Sequence, residues 1–161
     1  MIETEYDVIV AGYGPVGETC ANLLGYYGIK ALILDKEKEA YPLPRAITWD
    51  AECQRAMAHC DFSTKVKTRK IRGVDNQDAN KKSILKITMD GFDTYNYQHS
   101  ILFIHQPQFD EAHRDNAKKY KTNTIKTGNE ILSISQSDGI IGCTYKDINT
   151  GQEFKTNSKY L

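Results

Sequence analysis

The amino-acid sequence predicts an α/β fold: a parallel sheet opened by a strand–turn–helix–strand unit, followed by an antiparallel β-meander. Three observations carry that reading. A β-branched apolar run, Tyr6 to Ala11, passes straight into a glycine-rich turn. A helical apolar stripe and a second buried-strand run follow, closing a βαβ unit of about 30 residues. From Ile125 onward, strand-like runs alternate with turn residues.

Each element follows from its residues. After Gly12-Tyr13-Gly14-Pro15-Val16-Gly17, the residues Val16, Cys20, Leu23, Leu24 and Tyr27 recur at helical spacing, and Gly28 offers a left-handed stop. Ala31 to Leu34 is apolar throughout, as a buried parallel strand should be, and ends at Asp35 and Lys36. A helix is predicted from about Pro107 to Tyr120, with Phe109, Ala112 and Ala117 inward and Glu111, Lys118 and Lys119 in water. Glu130–Ser135, Gly139–Tyr145, Glu153–Asn157 and Tyr160–Leu161 read as strands. Ser137-Asp138-Gly139 and Asn149-Thr150-Gly151 supply turns, so antiparallel hairpins are expected.

Composition narrows the function classes. The 161 residues suit one domain. Twenty-one basic and 21 acidic residues cancel, which disfavours a global attraction to nucleic acid or an anionic membrane. The charge is unevenly spread, with 10 acids and 5 bases in residues 1–62 against 11 and 16 in residues 63–161. The basic clusters at Lys65–Arg72 and Lys118–Lys121 read as a solvated loop and a solvated helix end. No apolar run reaches the roughly 18 residues of a membrane helix. Glu3, Glu5 and Asp7 stand where a secretory leader would carry positive charge, so a cytoplasmic location is expected. Cys20, Cys53, Cys60 and Cys143 match neither a redox pair nor a zinc pattern and are expected to be buried thiols; no metal is assigned.

The glycine turn carries the chemistry. GxGxxG alone is weak, but a strand precedes it, a helix begins within it, and a carboxylate follows about twenty residues on. Gly12 permits the tight turn, Gly14 lets backbone approach a pyrophosphate, and Gly17 lets the helix lie close to the strand. The helix N-terminus then offers N–H groups and a positive dipole end to phosphates. Asp35 is placed to accept from an adenosine ribose and to repel a 2′-phosphate, which favours FAD or NAD over NADP at this site. These residues describe a Rossmann-like dinucleotide fold.

Two further segments extend the reading. Tyr41 to Glu52, followed by Arg55, resembles the YPLPRAxxxDDExxR signature of the class A FAD-dependent aromatic monooxygenases. Phe103 to Asp110 resembles their FIQPxxD or FHQPxLE segment. Within that family the chain resembles the 3-(3-hydroxyphenyl)propionate hydroxylases and the related phenol and polyketide hydroxylases. The resemblance implies a Rossmann-like FAD-binding fold in which Gly12, Gly14, Pro15, Val16, Gly17, Asp35 and Lys36 hold the cofactor. It also implies that Arg45 contacts the flavin side near the pyrophosphate and that Gln106 bonds the cofactor's middle section; a guanidinium fork suits phosphate oxygens. Gln106 also reads as a plain helix-start residue ahead of Pro107. Asp50 and Glu52 match two acids of the DDE triplet, with Ala51 in place of the third, and read equally as helix-start residues. Asp35 stands where glutamate is usual and Lys36 where arginine is usual.

The implied activity is hydroxylation of a phenolic or aromatic substrate, with NAD(P)H as reductant, O₂ as oxidant and a flavin C4a-hydroperoxide between them. No residue of this chain is an obvious catalytic acid, base or nucleophile. Tyr160-Leu161 matches only the start of the family's YLVGxDGxxS strand, so residues 1–161 read as a partial N-terminal FAD-binding domain, incomplete relative to the family. Within it, residues 62–105 are expected to contribute to the start of the substrate-domain sheet. A non-catalytic nucleotide-binding fragment is the alternative. An NAD-dependent dehydrogenase would explain the glycine turn and Asp35 but not the Arg45 and Gln106 segments.

Overall fold

The computed structural model describes residues 5–60, 67–88 and 101–161. Its main sheet has six strands: β1 (Tyr6–Ala11), β2 (Ala31–Asp35), β8 (Asn123–Thr127), β9 (Asn129–Ser137), β10 (Ile140–Asp147) and β11 (Glu153–Tyr160). Their order is β8-β2-β1-β11-β10-β9. The first four are parallel and the last two pairings antiparallel, so the meander belongs to the same sheet as the βαβ unit. β11 is one continuous strand through Lys159 and Tyr160, where the sequence pattern predicts two pieces.

Alternation along the strands builds a core on each face. Ala31 and Ile33 face the helices and pack with Tyr13, Ala21 and Ala117. Leu32, Leu34 and Ile9 face the other way, onto Cys143 and Tyr145 of the meander, with Phe154 and Ile131 beside them. The Ser137–Gly139 turn has Asp138 and Gly139 both at positive φ, 51° and 76°, as a two-residue hairpin of primed type requires.

Helix α1 (Pro15–Tyr26) starts on Gly14 as an N-cap and stops at Gly28, whose φ is 71°. Its buried face differs from the apolar stripe the sequence offers. Val16 is 79% exposed and Tyr27 65%, while Glu18, Ala21, Asn22 and Gly25 are buried. The reason is helix α3 (Gln106–Ala117), which packs on that face through polar contacts. Asn22 Nδ2 donates to the His113 carbonyl at 3.0 Å, and Asn116 Nδ2 donates to Asn22 Oδ1 at 2.6 Å. Close approach is possible because Gly25 has no side chain; a Cβ there would lie 2.5 Å from the Tyr120 ring. In α3 itself Phe109 and Ala117 are buried, Ala112 is half-buried, and Glu111, Lys118 and Lys119 are exposed, as the periodicity predicts.

A second, three-stranded antiparallel sheet has the order β3-β7-β4, from β3 (Ala46–Asp50), β7 (Ile101–His105) and β4 (Thr68–Lys70). Helix α2 (Ala51–Ala58) follows β3, and Trp49, Met57, Leu102, Ile104 and Phe109 form the core between them. β3 therefore joins strands of the 62–105 segment, although it precedes that segment in sequence. β5 (Gly73–Gln77) and β6 (Ser83–Thr88) make a separate hairpin, exposed along its length. Lys67, Arg69, Lys70 and Arg72 are exposed, as expected for a solvated cluster; Lys65 lies outside the described residues.

The cysteine expectation needs correction. Cys60 and Cys143 are buried and Cys20 is half-buried, whereas Cys53 is exposed at the rim of the open groove that Trp49 and Met57 line. No helix among the described residues is long and apolar enough to cross a membrane. The described residues also contain no cluster of His, Cys, Asp and Glu able to hold a metal.

Candidate functional site

At the carboxyl end of β1 the sheet changes direction of growth, with β2 on one side and β11 on the other. Open α/β sheets bind ligands at that kind of crevice. The glycine turn sits there. Gly12 has φ of 97°, a conformation side chains resist, and its N–H donates to the Leu34 carbonyl at 2.7 Å. Gly17 lies so close to β1 that a Cβ would collide with the Gly12 carbonyl oxygen. Gly14 faces open space, with nothing within 4 Å of the position a Cβ would take. One glycine is thus needed for packing, and the other leaves a cradle that a side chain would fill.

Asp35 closes the turn from behind. Its Oδ2 accepts from the Tyr13 N–H at 2.6 Å and its Oδ1 from the Glu37 N–H at 2.8 Å. An ionised carboxylate has about four acceptor positions, so two remain for a ligand hydroxyl. Gly14, Asp35 and Lys36 line one groove of about 940 Å³, together with Tyr41, Pro42 and Arg114. The helix N-terminus of α1, the open face of Gly14 and the spare capacity of Asp35 fit a dinucleotide diphosphate and ribose.

The other residues singled out by sequence do not line that groove. Pro15 and Val16 line an adjacent apolar groove of about 570 Å³, against Ile47, Trp49, Met57 and Phe109. The exposed Arg45 guanidinium lies over the Tyr41 ring, 4.5 Å from its centroid, and lines a separate groove with Thr68, Arg69 and Phe103, not the one beside Gly14. Gln106 is buried at the start of α3, where its Nε2 donates to Asp110 Oδ2 at 3.3 Å. Its Oε1 is buried with no hydrogen-bond partner among the described residues. Asp50 caps α2, accepting from the Cys53 N–H at 2.8 Å, and Glu52 pairs with Arg55 at 2.6 Å on the surface. Both behave as helix-start residues.

Sequence reasoning passes over the most tightly built part of the site. Arg114, near the end of α3, donates through Nε to Glu18 Oε1 at 2.7 Å and through a terminal nitrogen to the Tyr13 carbonyl. Its guanidinium also stacks 4.7 Å from the Tyr13 ring centroid. Glu18 is fully buried, and burial pushes its carboxyl up to about 8 despite the opposing bond from Arg114; Asp110 nearby raises it further. Burial likewise raises the Tyr13 phenol and the Asp110 carboxyl and lowers His113. Glu18 and Arg114 are 96 residues apart, and no local spacing links them.

The comparisons extend along the same elements. The family described as FAD binding domain matches residues 5–161. The 3-(3-hydroxy-phenyl)propionate/3-hydroxycinnamic acid hydroxylase of Comamonas testosteroni is 30% identical over 161 residues, covering 99% of this chain and 27% of that protein. A probable NADH-specific resorcinol 4-hydroxylase of Rhodococcus jostii (strain RHA1) is 27% identical over 135 residues, 83% of this chain and 25% of its own length. The structure of p-nitrophenol 4-monooxygenase PnpA from Pseudomonas putida DLL-E4 shares the fold, with TM-score 0.77 and 21% identity over 98% of this chain and 40% of that one. So does the flavin-dependent monooxygenase PieE, solved with FAD and substrate, with TM-score 0.68 and 18% identity over 97% of this chain and 29% of that one. The chain spans about a quarter of the length of the curated relatives it matches across most of its residues. With the family match running from Glu5 through β11, the chain belongs to the FAD binding domain family.

Proposed function

We propose that this chain is the FAD-binding portion of an NAD(P)H-dependent flavoprotein that hydroxylates a phenolic or aromatic substrate. The observation that carries the reading is the similarity to the Comamonas hydroxylase along 99% of the chain. It takes in the Tyr41–Glu52 and Phe103–Asp110 segments, which a bare dinucleotide fold does not require. Bound FAD would supply the redox and oxygen-transfer chemistry, and the protein supplies binding, orientation and exclusion of water. The α1 N-terminus and the Gly14 cradle would take the diphosphate, Asp35 the adenosine ribose, and Lys36 the open side of the same groove. Arg45, Gln106, Pro15 and Val16 are proposed to act toward the flavin half.

The test has two stages. Purified chain mixed with FAD should retain yellow flavin through gel filtration. The corresponding whole protein should then oxidise NADH or NADPH faster when a phenolic compound is present. Flavin retention with no phenol-stimulated oxidation would favour a non-catalytic nucleotide-binding role.

A further inference from the structure

We propose that Arg114 is the phosphate-contacting cation of the dinucleotide groove, held in place by the Tyr13 carbonyl and the Glu18 carboxyl; this rests on the FAD-binding reading above. Three observations carry it. First, Arg114 lines the groove beside Gly14 although it belongs to α3 and not to the βαβ unit. Second, its side chain is only 12% exposed and fixed on two sides, by Glu18 Oε1 and by the Tyr13 carbonyl inside the glycine turn. A guanidinium has five N–H groups, and these two bonds leave the rest without a hydrogen-bond partner among the described residues. Third, the remaining cations of the groove are the lysines Lys36, Lys38 and Lys146 on flexible stems, set among four carboxylates. Only Arg114 offers a preorganised, planar fork of the kind that suits phosphate oxygens.

The charge state of its partner is consistent with this role. Burial pushes the Glu18 carboxyl up to about 8, which weakens its hold on a proton-free state and with it the cancellation of the Arg114 charge. The same contact with Tyr13 fixes the turn whose backbone the phosphates would approach.

The test compares ligands that differ only in phosphate. ADP and adenosine are titrated into the full chain by NMR, which reads millimolar affinities, alongside FAD. Arg114→Gln keeps a donor but removes the charge. It should weaken ADP and FAD at least tenfold and leave adenosine within twofold. Arg114→Lys keeps the charge without the planar fork and should recover only part of the ADP preference. In the parent chain, the Arg114 Nε–H resonance should shift with ADP and stay in place with adenosine, a readout that does not depend on any variant folding. Equal losses for ADP and adenosine, full recovery by lysine, or an Arg114 resonance indifferent to ADP would each overturn the proposal. If ADP shifts the resonance and FAD fails to bind, the assignment of Arg114 stands and the flavoprotein reading falls. A parent chain that binds neither ADP nor FAD removes both.

Discussion

Two glycines three residues apart should fail in different ways. Gly17→Ala drives a methyl into the Gly12 carbonyl, and overpacking of this kind costs about 1–3 kcal/mol, so urea unfolding should shift while residual folded protein still binds FAD. Gly14→Val has free space around it and an ordinary backbone, with φ of −86°, so its stability should be near that of the parent while FAD retention is lost. Retained flavin in the Gly14 variant would sink the cradle. Glu18 makes a pH-dependent case. Its carboxyl is raised from 4.5 to about 8 in the folded state, so the fold holds a proton that the unfolded chain releases. Its contribution is complete below about pH 4.5 and is lost as pH rises toward 8. Asp110, whose carboxyl burial also raises, acts in the same direction. His113, lowered from 6.5 by burial, acts oppositely and loses its contribution as pH falls. Glu18→Gln should flatten the decline between pH 5 and 8 in urea midpoints; an unchanged slope would assign that decline to other groups. The glycines were legible because their roles are local to one turn. Arg114 and Glu18 were not, since a pair 96 residues apart leaves no periodic trace.

At the scale of elements, the two long helices show when hydrophobic periodicity can be trusted. α3 buries Phe109 and Ala117 as its pattern requires, because Trp49, Met57 and Ile104 offer an apolar surface to Phe109, and Ala21, Ala31 and Ile33 one to Ala117. Phe109→Ala should therefore cost about 3–5 kcal/mol by equilibrium denaturation. A loss under 1 kcal/mol would mean that Phe109 contributes little to that core. α1 misleads because its partner surface is polar. Asn22, Asn116 and the His113 carbonyl satisfy one another there, and a buried asparagine reads from sequence like an exposed one. Polar side chains of this type specify which helix faces which, at a cost if any one member is removed. β3 went unread for another reason. Pro42 and Pro44 mark its approach as loop, and its pairing with β7 is non-local. The meander was legible because its turns carry Gly139 and Gly151 at positive φ, chemistry that few other residues supply.

For the whole molecule, the decisive link joins the two ends of the described chain. β11 pairs in parallel with β1, Tyr6 opposite Ser158 and Val8 opposite Tyr160, and Lys159 bonds Asp7 at 2.6 Å. A chain shortened to residue 152 should leave an edge of β1 open and aggregate on gel filtration, even though the βαβ unit is intact. A monomeric, FAD-retaining product would show that β1 needs only β2. The same pairing has a consequence for synthesis in the cell. Ribosomes add about 5–20 residues per second, so β1 emerges on the order of ten seconds before the strand that will cover its flank. The nascent polypeptide must carry the phosphate-binding turn through that interval with its central strand half-dressed. Strand order therefore postpones completion of the sheet around the glycine turn until β11 has been synthesised.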